Sequence, residues 1–582
     1  MINGIGKKWK LKSSAPEDFL AEWPEYSPLV MTLLRHRNIL TQEAVDKFFN
    51  PEYSLDLYDP YLLKNMDKMV KRLQKAINDE EKVVVYGDYD ADGVSGAMIL
   101  EIVLREAGCK NLSVYIPDRS REGYGLNEKA VEEISKGGNQ LIITVDCGIT
   151  DCKETKMAQD LGMEVVITDH HLPLGDLPPT KIIVDPWQKG DKYPFKSLSG
   201  AGVAFKVAQA LIKKIGNFQI GFDKWLLDLV ALSTIADYMP MVDENRTLVK
   251  YGLFVLAQAR RPGIKALMKV SRVEPEMDRV NLATNLDTRT IAFTLVPRIN
   301  AASRMDHANT SYDLLKIEDM EQARVLAKKI DGLNRNRQKR VEEIMQEADA
   351  RYSANPKEII FAGDESWPKG LLGLIASKLS EKYYRPAFIF NIENGTSKGS
   401  ARGVEEFNVV SAMTECAKVI KVFNEYGGHA KAGGFSIKSE GIKDFEECLS
   451  SIARREFVGK DLSPSLEIDA KITPQEINWD NLESIQKFAP FGPENLEPIF
   501  LMENLVVKEK KLVGKNNQHL RLSLSQKNNL QNKVFKAIGF GFGDVFNKLL
   551  DESLVDLVFY IEADTWNGAR ALQLKIVDIK IK

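Results

Sequence analysis

The sequence predicts an α/β fold: a parallel sheet covered by helices, a second, smaller α/β block reached through a long helix, and a β-barrel at the C-terminal end. Three observations carry that expectation. Short β-branched runs recur with helical stretches between them: VVVYG at 83–87, LIITV at 141–145, EVVIT at 164–168 and KIIVD at 181–185. Continuously apolar strands of this kind are buried on both faces, the mark of a parallel sheet. Residues 316–352 carry no proline and one glycine, so they read as a long connecting helix or a helix pair. Beyond about residue 465, apolar and polar residues alternate between turn residues, the pattern of a small antiparallel barrel.

Taken in order, residues 1–65 form an N-terminal segment of mixed helical pattern that carries no interpretable motif. The parallel-sheet domain is expected over 66–310. It starts with the strand EKVVVYG and the helix GVSGAMILEIVLREAG, and turns mostly helical from about Gly200. The connecting helix takes 311–355. The second block takes 356–457, with EIIFAG, GLLGLIASKLSEKY and PAFIF as its opening elements. The proline-bearing DLSPSLE then leads into the barrel at 462–582.

The chain has 582 residues, enough for about three or four domains. Its 44% hydrophobic and 28% charged residues argue against disorder. Basic and acidic side chains nearly cancel, 79 against 82, so any affinity for a polyanion must come from a local patch. Five cysteines (Cys109, Cys147, Cys152, Cys416 and Cys448) never fall in a CxxC spacing. That argues against a disulfide framework or a zinc ribbon and fits a reducing cytoplasm. The basic start lacks an apolar run behind it, and nowhere does one reach the roughly 18 residues of a membrane span. A soluble, multidomain, cytoplasmic protein is the expectation.

The densest chemistry follows the first strand, in Gly87-Asp88-Tyr89-Asp90-Ala91-Asp92-Gly93. Three carboxylates within five residues repel one another and need a cation. In open α/β sheets, ligands bind beyond the carboxyl ends of the strands, where this cluster falls. An Asx-rich turn is the plain alternative. An EF-hand is disfavoured, because no glutamate closes the loop and a strand precedes it. Two more strands end alike: LIITV runs into Asp146, and EVVIT runs into Asp169-His170-His171. A fourth acid, Asp237, ends the apolar run LVALSTIA, a place the helix dipole makes unfavourable unless a cation is near. Singly, each of these could be a helix cap or a satisfied polar pair; converging strand ends suggest one cleft.

Carboxylates with imidazole suit two Mn²⁺ or Mg²⁺ ions, and fit Zn²⁺ less well. Two cations about 3.5–4 Å apart are a common apparatus for displacement at phosphorus. The residues therefore point to phosphoester or phosphoanhydride hydrolysis. No GxxxxGK[ST] loop, GxSxG elbow or GxGxxG fingerprint argues otherwise.

DYDADG, VDCG, TDHH and ADYMP, in this order, resemble the motifs of the DHH phosphoesterase family. The later segments PRINAASR (297–304), GSARG (399–403) and YGGHAKAGGFSI (426–437) resemble its single-strand-specific 5′→3′ exonuclease branch. The likeness runs from about residue 65 to the end. It implies metal ligands at Asp90, Asp92, His170 and Asp237, with Asp146 as the bridge and Asp88 as a ligand or a supporting carboxylate. His171 would face the scissile phosphate, and Asp169 would fix an imidazole tautomer. Ser400 and Arg402 would clamp a 5′ phosphate, and Gly427, Gly428, His429 and Gly433 of a glycine-rich loop would let a phosphate backbone approach. Arg119, Arg298, Asn300 and Arg304 resemble further substrate contacts.

The C-terminal barrel resembles an oligonucleotide-binding fold. Between 501 and 536 stand Lys508, Lys510, Lys511, Lys515, Arg521, Lys527, Lys533 and Lys536 against Glu503 and Glu509. That is the local positive patch the overall charge requires, unless it is only a solvated face. Phe491, Phe535 and Phe540 are candidate stacking platforms, or core. The resemblance implies an exonuclease acting on single-stranded DNA in repair and recombination, monomeric, with a helicase and a single-strand-binding protein as partners. It also implies a narrow channel between the two α/β blocks. Two other readings stand beside it: a phosphodiesterase of short oligonucleotides or cyclic dinucleotides, and a non-catalytic relative that only binds single strands.

Overall fold

The computed structural model describes residues 6–119, 121–173, 175–393, 395–526, 533–564 and 570–582. The chain divides into two compact units, 46–339 with 490–496, and the remainder. The expected N-terminal segment is itself divided, residues up to Val45 falling in the second unit and those from Asp46 in the first.

The first unit is built on a five-stranded sheet. Its strands are β1 (Val83–Gly87), β2 (Leu112–Tyr115), β3 (Leu141–Val145), β4 (Glu164–Thr168) and β5 (Ile183–Val184), all parallel, in the order β2-β1-β3-β4-β5. Every residue of β1 and of β3 is buried. The two faces separate cleanly along β1. Val83 and Val85 join the core formed with helices α1 (Ala91–Glu106), α2 (Gly200–Ile215) and α3 (Leu227–Ala236), whereas Val84 and Tyr86 pack with Ala130, Val131 and Ala158 on the other side. Helices on both faces explain why these strands read as unbroken apolar runs. The strand order reverses between β1 and β3, which makes a crevice at their carboxyl ends.

Two helices complete the frame of the site: α4 (Val296–Met305), which holds PRINAASR, and α5 (Met320–Ala354). The expected helix or helix pair at 316–352 is one uninterrupted helix.

The second unit contains a mixed sheet and a barrel. The sheet has strands β6 (Ile360–Asp364), β7 (Ala387–Glu393), β8 (Thr396–Arg402), β9 (Phe423–His429) and β10 (Ala432–Lys438), ordered β9-β10-β8-β7-β6. Only β6 and β7 are parallel. Phe388, Phe390, Phe435 and Phe445 build its core. Helices α6 (Val409–Val419) and α7 (Ile442–Phe457) are joined by a Cys416–Cys448 disulfide, with Cα atoms 5.9 Å apart. This corrects the cysteine reading. The two residues lie 32 positions apart, and packing of helices, which spacing does not reveal, brings them into bonding range.

The barrel consists of β11 (Phe500–Val513), β12 (His519–Gln526), β13 (Val534–Gly539), β14 (Leu554–Asp564) and β15 (Ala571–Ile581). Its order is β11-β12-β13-β15-β14, closed by β11 against β14. It departs from the expected antiparallel pattern at one seam, where β13 and β15 run parallel. Strand Lys8–Leu11 pairs in parallel with Ser465–Ile468.

Candidate metal centre

Four polypeptide turns bring acids and imidazoles to the carboxyl end of the sheet. After β1, Asp90 caps α1, its Oδ1 accepting from the N–H groups of Asp92 (2.8 Å) and Gly93 (3.2 Å). The turn is so tight that a Cβ on Gly93 would fall 2.5 Å from the Asp88 nitrogen. After β3, Asp146 adopts φ +63°, a strained conformation for a non-glycine residue. Gly200 backs it so closely that a Cβ there would lie 2.5 Å from that of Asp146. After β4 come Asp169, His170 and His171, and Asp237 closes α3.

These groups form three overlapping sets whose ligand atoms lie within 4.8 Å of one another: Asp88, Asp90 and Asp146; Asp92, His170 and Asp237; Asp146, His170 and His171. His170 Nε2 sits 3.0 Å from Asp146 Oδ1, 3.6 Å from Asp237 Oδ2 and 3.7 Å from Asp92 Oδ2. Among the described residues, Asp88 Oδ1, Asp146 Oδ1 and His170 Nε2 are buried without hydrogen-bond partners. Buried polar atoms are normally paired, so three orphans converging on one place fit cations. Asp92 differs from the others. Its carboxylate accepts from the N–H groups of Gly200 and Ala201 and from the Ser233 hydroxyl, which ties α1 to α2 and α3.

The electrostatics follow from burial among like charges. Burial pushes Asp88, Asp90 and Asp146 up, and neighbouring aspartates push the same way. Asp237 is raised to about 7, first by burial and then by Asp92. His170 and His171 are raised, the surrounding carboxylates outweighing burial. Asp169 runs opposite to the other acids. Burial pushes it up, but the hydrogen bond from His171 leads the effects that bring it below the ordinary value. That bond, His171 Nδ1 to Asp169 Oδ1, spans 2.8 Å. Asp169 also accepts from the backbone N–H groups of Ile149, His170 and His171. The imidazole it fixes is therefore that of His171, held through Nδ1. His170 is held by the Leu198 carbonyl instead.

Around the carboxylates stand arginines. Arg119 lies over the Tyr89 ring at 4.6 Å. Arg304 is half-buried and lowered to about 9, by burial and then by Arg119 and Arg337, while Asp90 opposes the shift. Arg298 is taken up by Asp331 (3.0 Å) and the Thr294 carbonyl. Asn300 Oδ1 accepts the Ala91 N–H at 2.8 Å, fastening α4 to the first turn of α1.

Two residues escaped the sequence reading. Arg337, on α5, has a buried Nε without a hydrogen-bond partner among the described residues. Nothing in LNRNRQKR singles out one arginine; only the helix's placement does. Tyr124 donates to the Asp146 carbonyl and meets His171 Nδ1, both at 3.0 Å.

In the second unit, Arg402 Nη1 donates to Ser400 Oγ at 3.0 Å, and its Nε to Ser377 Oγ at 3.0 Å. The glycine-rich segment is a paired hairpin rather than a loop: Gly427 faces Gly434, Gly428 faces Gly433, and His429 faces Ala432. Gly427 and His429 are exposed on edge strand β9, whereas Gly433 is buried, with Met413 2.9 Å from where its Cβ would stand.

On the barrel, Lys511 and Arg521 are exposed and directly opposite each other in β11 and β12. Lys515 and Lys536 are exposed too. Lys510 and Lys533 are committed to backbone carbonyls, and Lys508 pairs with Glu552. Lys527 lies outside the described residues. Phe535 is core, and Phe491 belongs to the first unit, where its carbonyl accepts from Thr288. Phe540 remains exposed, 5.2 Å from the His519 ring.

A parallel sheet whose switch point gathers buried carboxylates and imidazoles defines the class of metal-dependent phosphoesterases. Residues 82–234 match the DHH family N-terminal domain, 356–455 the DHHA1 domain and 468–578 the RecJ OB domain. The chain is 35% identical to the single-stranded-DNA-specific exonuclease RecJ of Bacillus subtilis, over 97% of this chain and 69% of that one. It is 31% identical to the RecJ of Escherichia coli, over 97% of each. The crystal structure of Thermus thermophilus RecJ with Mn²⁺ superposes with a TM-score of 0.82 at 27% identity, covering 98% of this chain and 79% of that one. The chain belongs to the RecJ family.

Proposed function

We propose that this protein is a two-ion exonuclease that hydrolyses single-stranded DNA from the 5′ end to 5′-mononucleotides, in DNA repair and recombination. The observation that carries the reading is the set of overlapping donor groups sharing Asp146 and His170 at the β1/β3 switch point. The RecJ relatives are named as single-stranded-DNA-specific exonucleases, and one is solved with Mn²⁺ and another time with Mg²⁺.

Asp88, Asp90 and Asp146 would hold one ion; Asp92, His170 and Asp237, with Asp146 shared, would hold the other. When bound, Mn²⁺ or Mg²⁺ supplies Lewis acidity and an activated water nucleophile at neutral pH. The chain's own residues do the rest. Asp169 holds His171 with Nδ1–H toward itself, so Nε2 can orient or protonate the scissile phosphate. Arg304, Arg337 and Arg119 offer guanidinium groups to backbone phosphates, and Ser400 with Arg402 grips a terminal one. The basic barrel face adds non-specific affinity for single strands. We place the enzyme in the cytoplasm as a monomer, with a helicase and a single-strand-binding protein as its partners. No helix among the described residues is long and apolar enough to cross a membrane.

The test is single-stranded DNA labelled at either end, incubated with the protein in Mn²⁺, Mg²⁺ or EDTA. The expected result is immediate release of a labelled mononucleotide from the 5′ end only, silenced by EDTA. Binding without cleavage in either metal would overturn catalysis, and cleavage confined to oligomers of a few nucleotides would replace the substrate.

A further inference from the structure

Tyr238 stands where a tyrosine is disfavoured. It follows Asp237 at the end of α3 with φ +58°. Its N–H reaches the Ile235 carbonyl at 3.3 Å, and the Met239 N–H reaches that of Thr234 at 3.1 Å. Those two bonds make a Schellman cap, whose left-handed position is usually glycine because a side chain there is strained. An aromatic side chain in this place needs compensation.

A second tyrosine in the same situation shows what compensation looks like. Tyr384, at φ +48°, ends the helix Leu372–Tyr383. Its hydroxyl donates to Glu406, and its ring packs against the core of its own block. The chain itself accounts for Tyr384. Tyr238 has nothing comparable. It is 72% exposed, and among the described residues it makes no side-chain hydrogen bond, ring stack or cation contact. What it has is position, one residue from Asp237, whose Oδ2 lies 3.6 Å from His170 Nε2.

We propose that Tyr238 is a base-stacking residue of the active centre: its ring takes the face of a nucleobase in the single strand whose phosphate lies at the metal-binding centre. The inference rests on the exonuclease reading. A tyrosine ring suits this task because every base has a π-face, so the contact binds without choosing sequence. It is a specificity device of a different kind: it distinguishes a strand with an unstacked, available base from one without.

The test compares wild type, Tyr238→Gly and Tyr238→Phe as full chains in Mn²⁺. The substrates are single-stranded DNA that is normal or carries one abasic residue at each of the first four positions. Tyr238→Gly should melt higher, because glycine relieves the cap, yet show KM raised on the order of 5- to 100-fold on normal strands with kcat little changed. Tyr238→Phe should behave as wild type. An abasic residue at the stacked position should cost wild type the same factor and cost Tyr238→Gly almost nothing more. A purely structural cap would move the melting temperature alone.

Anisotropy binding of the same strands in Ca²⁺ repeats the comparison without turnover. If wild type binds but never cleaves, the exonuclease reading falls while the binding ratios still decide Tyr238. Wild-type KM and affinity in Tyr238→Gly, or equal losses on normal and abasic strands at all four positions, overturn the inference.

Discussion

The carboxylate centre of the first unit and the basic face of the barrel both crowd like charges, and they manage the repulsion differently. Asp88, Asp92 and Asp146 are almost wholly buried, with 3%, 1% and 3% of their surface exposed. Water does not screen them, and burial together with neighbouring aspartates pushes Asp88 and Asp146 up. Lys511 and Arg521 face each other across two strands in full solvent, where salt and water absorb most of the cost. Burial thus makes the centre rely on cations to offset its repulsion, while exposure leaves the barrel face to salt and water.

That contrast puts the largest effect at the shared carboxylate. Asp146→Ala should cut kcat on the order of a thousandfold or more while leaving single-strand affinity within a few-fold, measured by end-labelled hydrolysis and by anisotropy. Near wild-type turnover would remove Asp146 from the shared position. An intermediate case is Arg337→Ala, which takes one guanidinium from the arginine cluster without touching a carboxylate. It should raise KM on the order of tenfold, kcat moving less, since a charge-assisted contact is worth about 1.5–3 kcal/mol. A kcat loss without a KM change would move Arg337 from binding to chemistry.

The same contrast explains what could be read before the fold was known. Buried strands announce themselves, since VVVYG and LIITV admit few environments, and acids directly after them are fixed at the sheet's end by chain continuity. That Asp88, Asp90, Asp92, Asp146, His170 and Asp237 meet at one place was therefore legible. Asp237 lies about 90 residues beyond Asp146 and was found through its place at the end of an apolar helix. What escaped depends on tertiary placement. One arginine among several on a helix of 35 residues, Arg337, carries no local signal. The Cys416–Cys448 bond depends on how two helices pack, and the hairpin of Gly427–Gly434 on a strand register that glycines do not advertise. Charge runs mislead for a related reason. Lys510 and Lys533 look like surface charge in the sequence, yet both are spent on carbonyls.

A smaller effect should appear in stability without metal. Asp88, Asp90, Asp146 and Asp237 are all raised in the fold, Asp237 to about 7 from 3.8. A raised carboxyl stabilises the fold while protonated, so that contribution is complete below the ordinary value and is lost as pH rises through the raised one. His170 and His171 are raised also, and their contribution too is lost as pH rises through their folded values. Asp169, depressed, contributes above its ordinary value and loses that only in more acid solution, outside this window. Metal-free protein should therefore lose stability as pH rises from about 4 through about 7, the span between the ordinary and the raised value of Asp237. The melting-temperature gain on adding Mn²⁺ should grow over the same range, because ligands must shed protons to bind. A gain independent of pH would mean that the raised acids are not the ligands.

The smallest effect belongs to the barrel, and its sign is the informative part. Like charges directly opposite on neighbouring strands destabilise a sheet, by about 0.2–1 kcal/mol for such a pair. Arg521→Ser should therefore raise the barrel's thermal stability slightly while weakening single-strand binding and lowering the slope of log affinity against log salt by about 0.7, the share of one phosphate contact on a single strand. Lys511→Ser should do the same. The double variant should add in the salt slope but not in stability, because removing either member already ends the repulsion. Stability gained with no change in salt slope would leave the opposed pair as a tolerated surface accident, and the positive face would then have to be sought at Lys515 and Lys536.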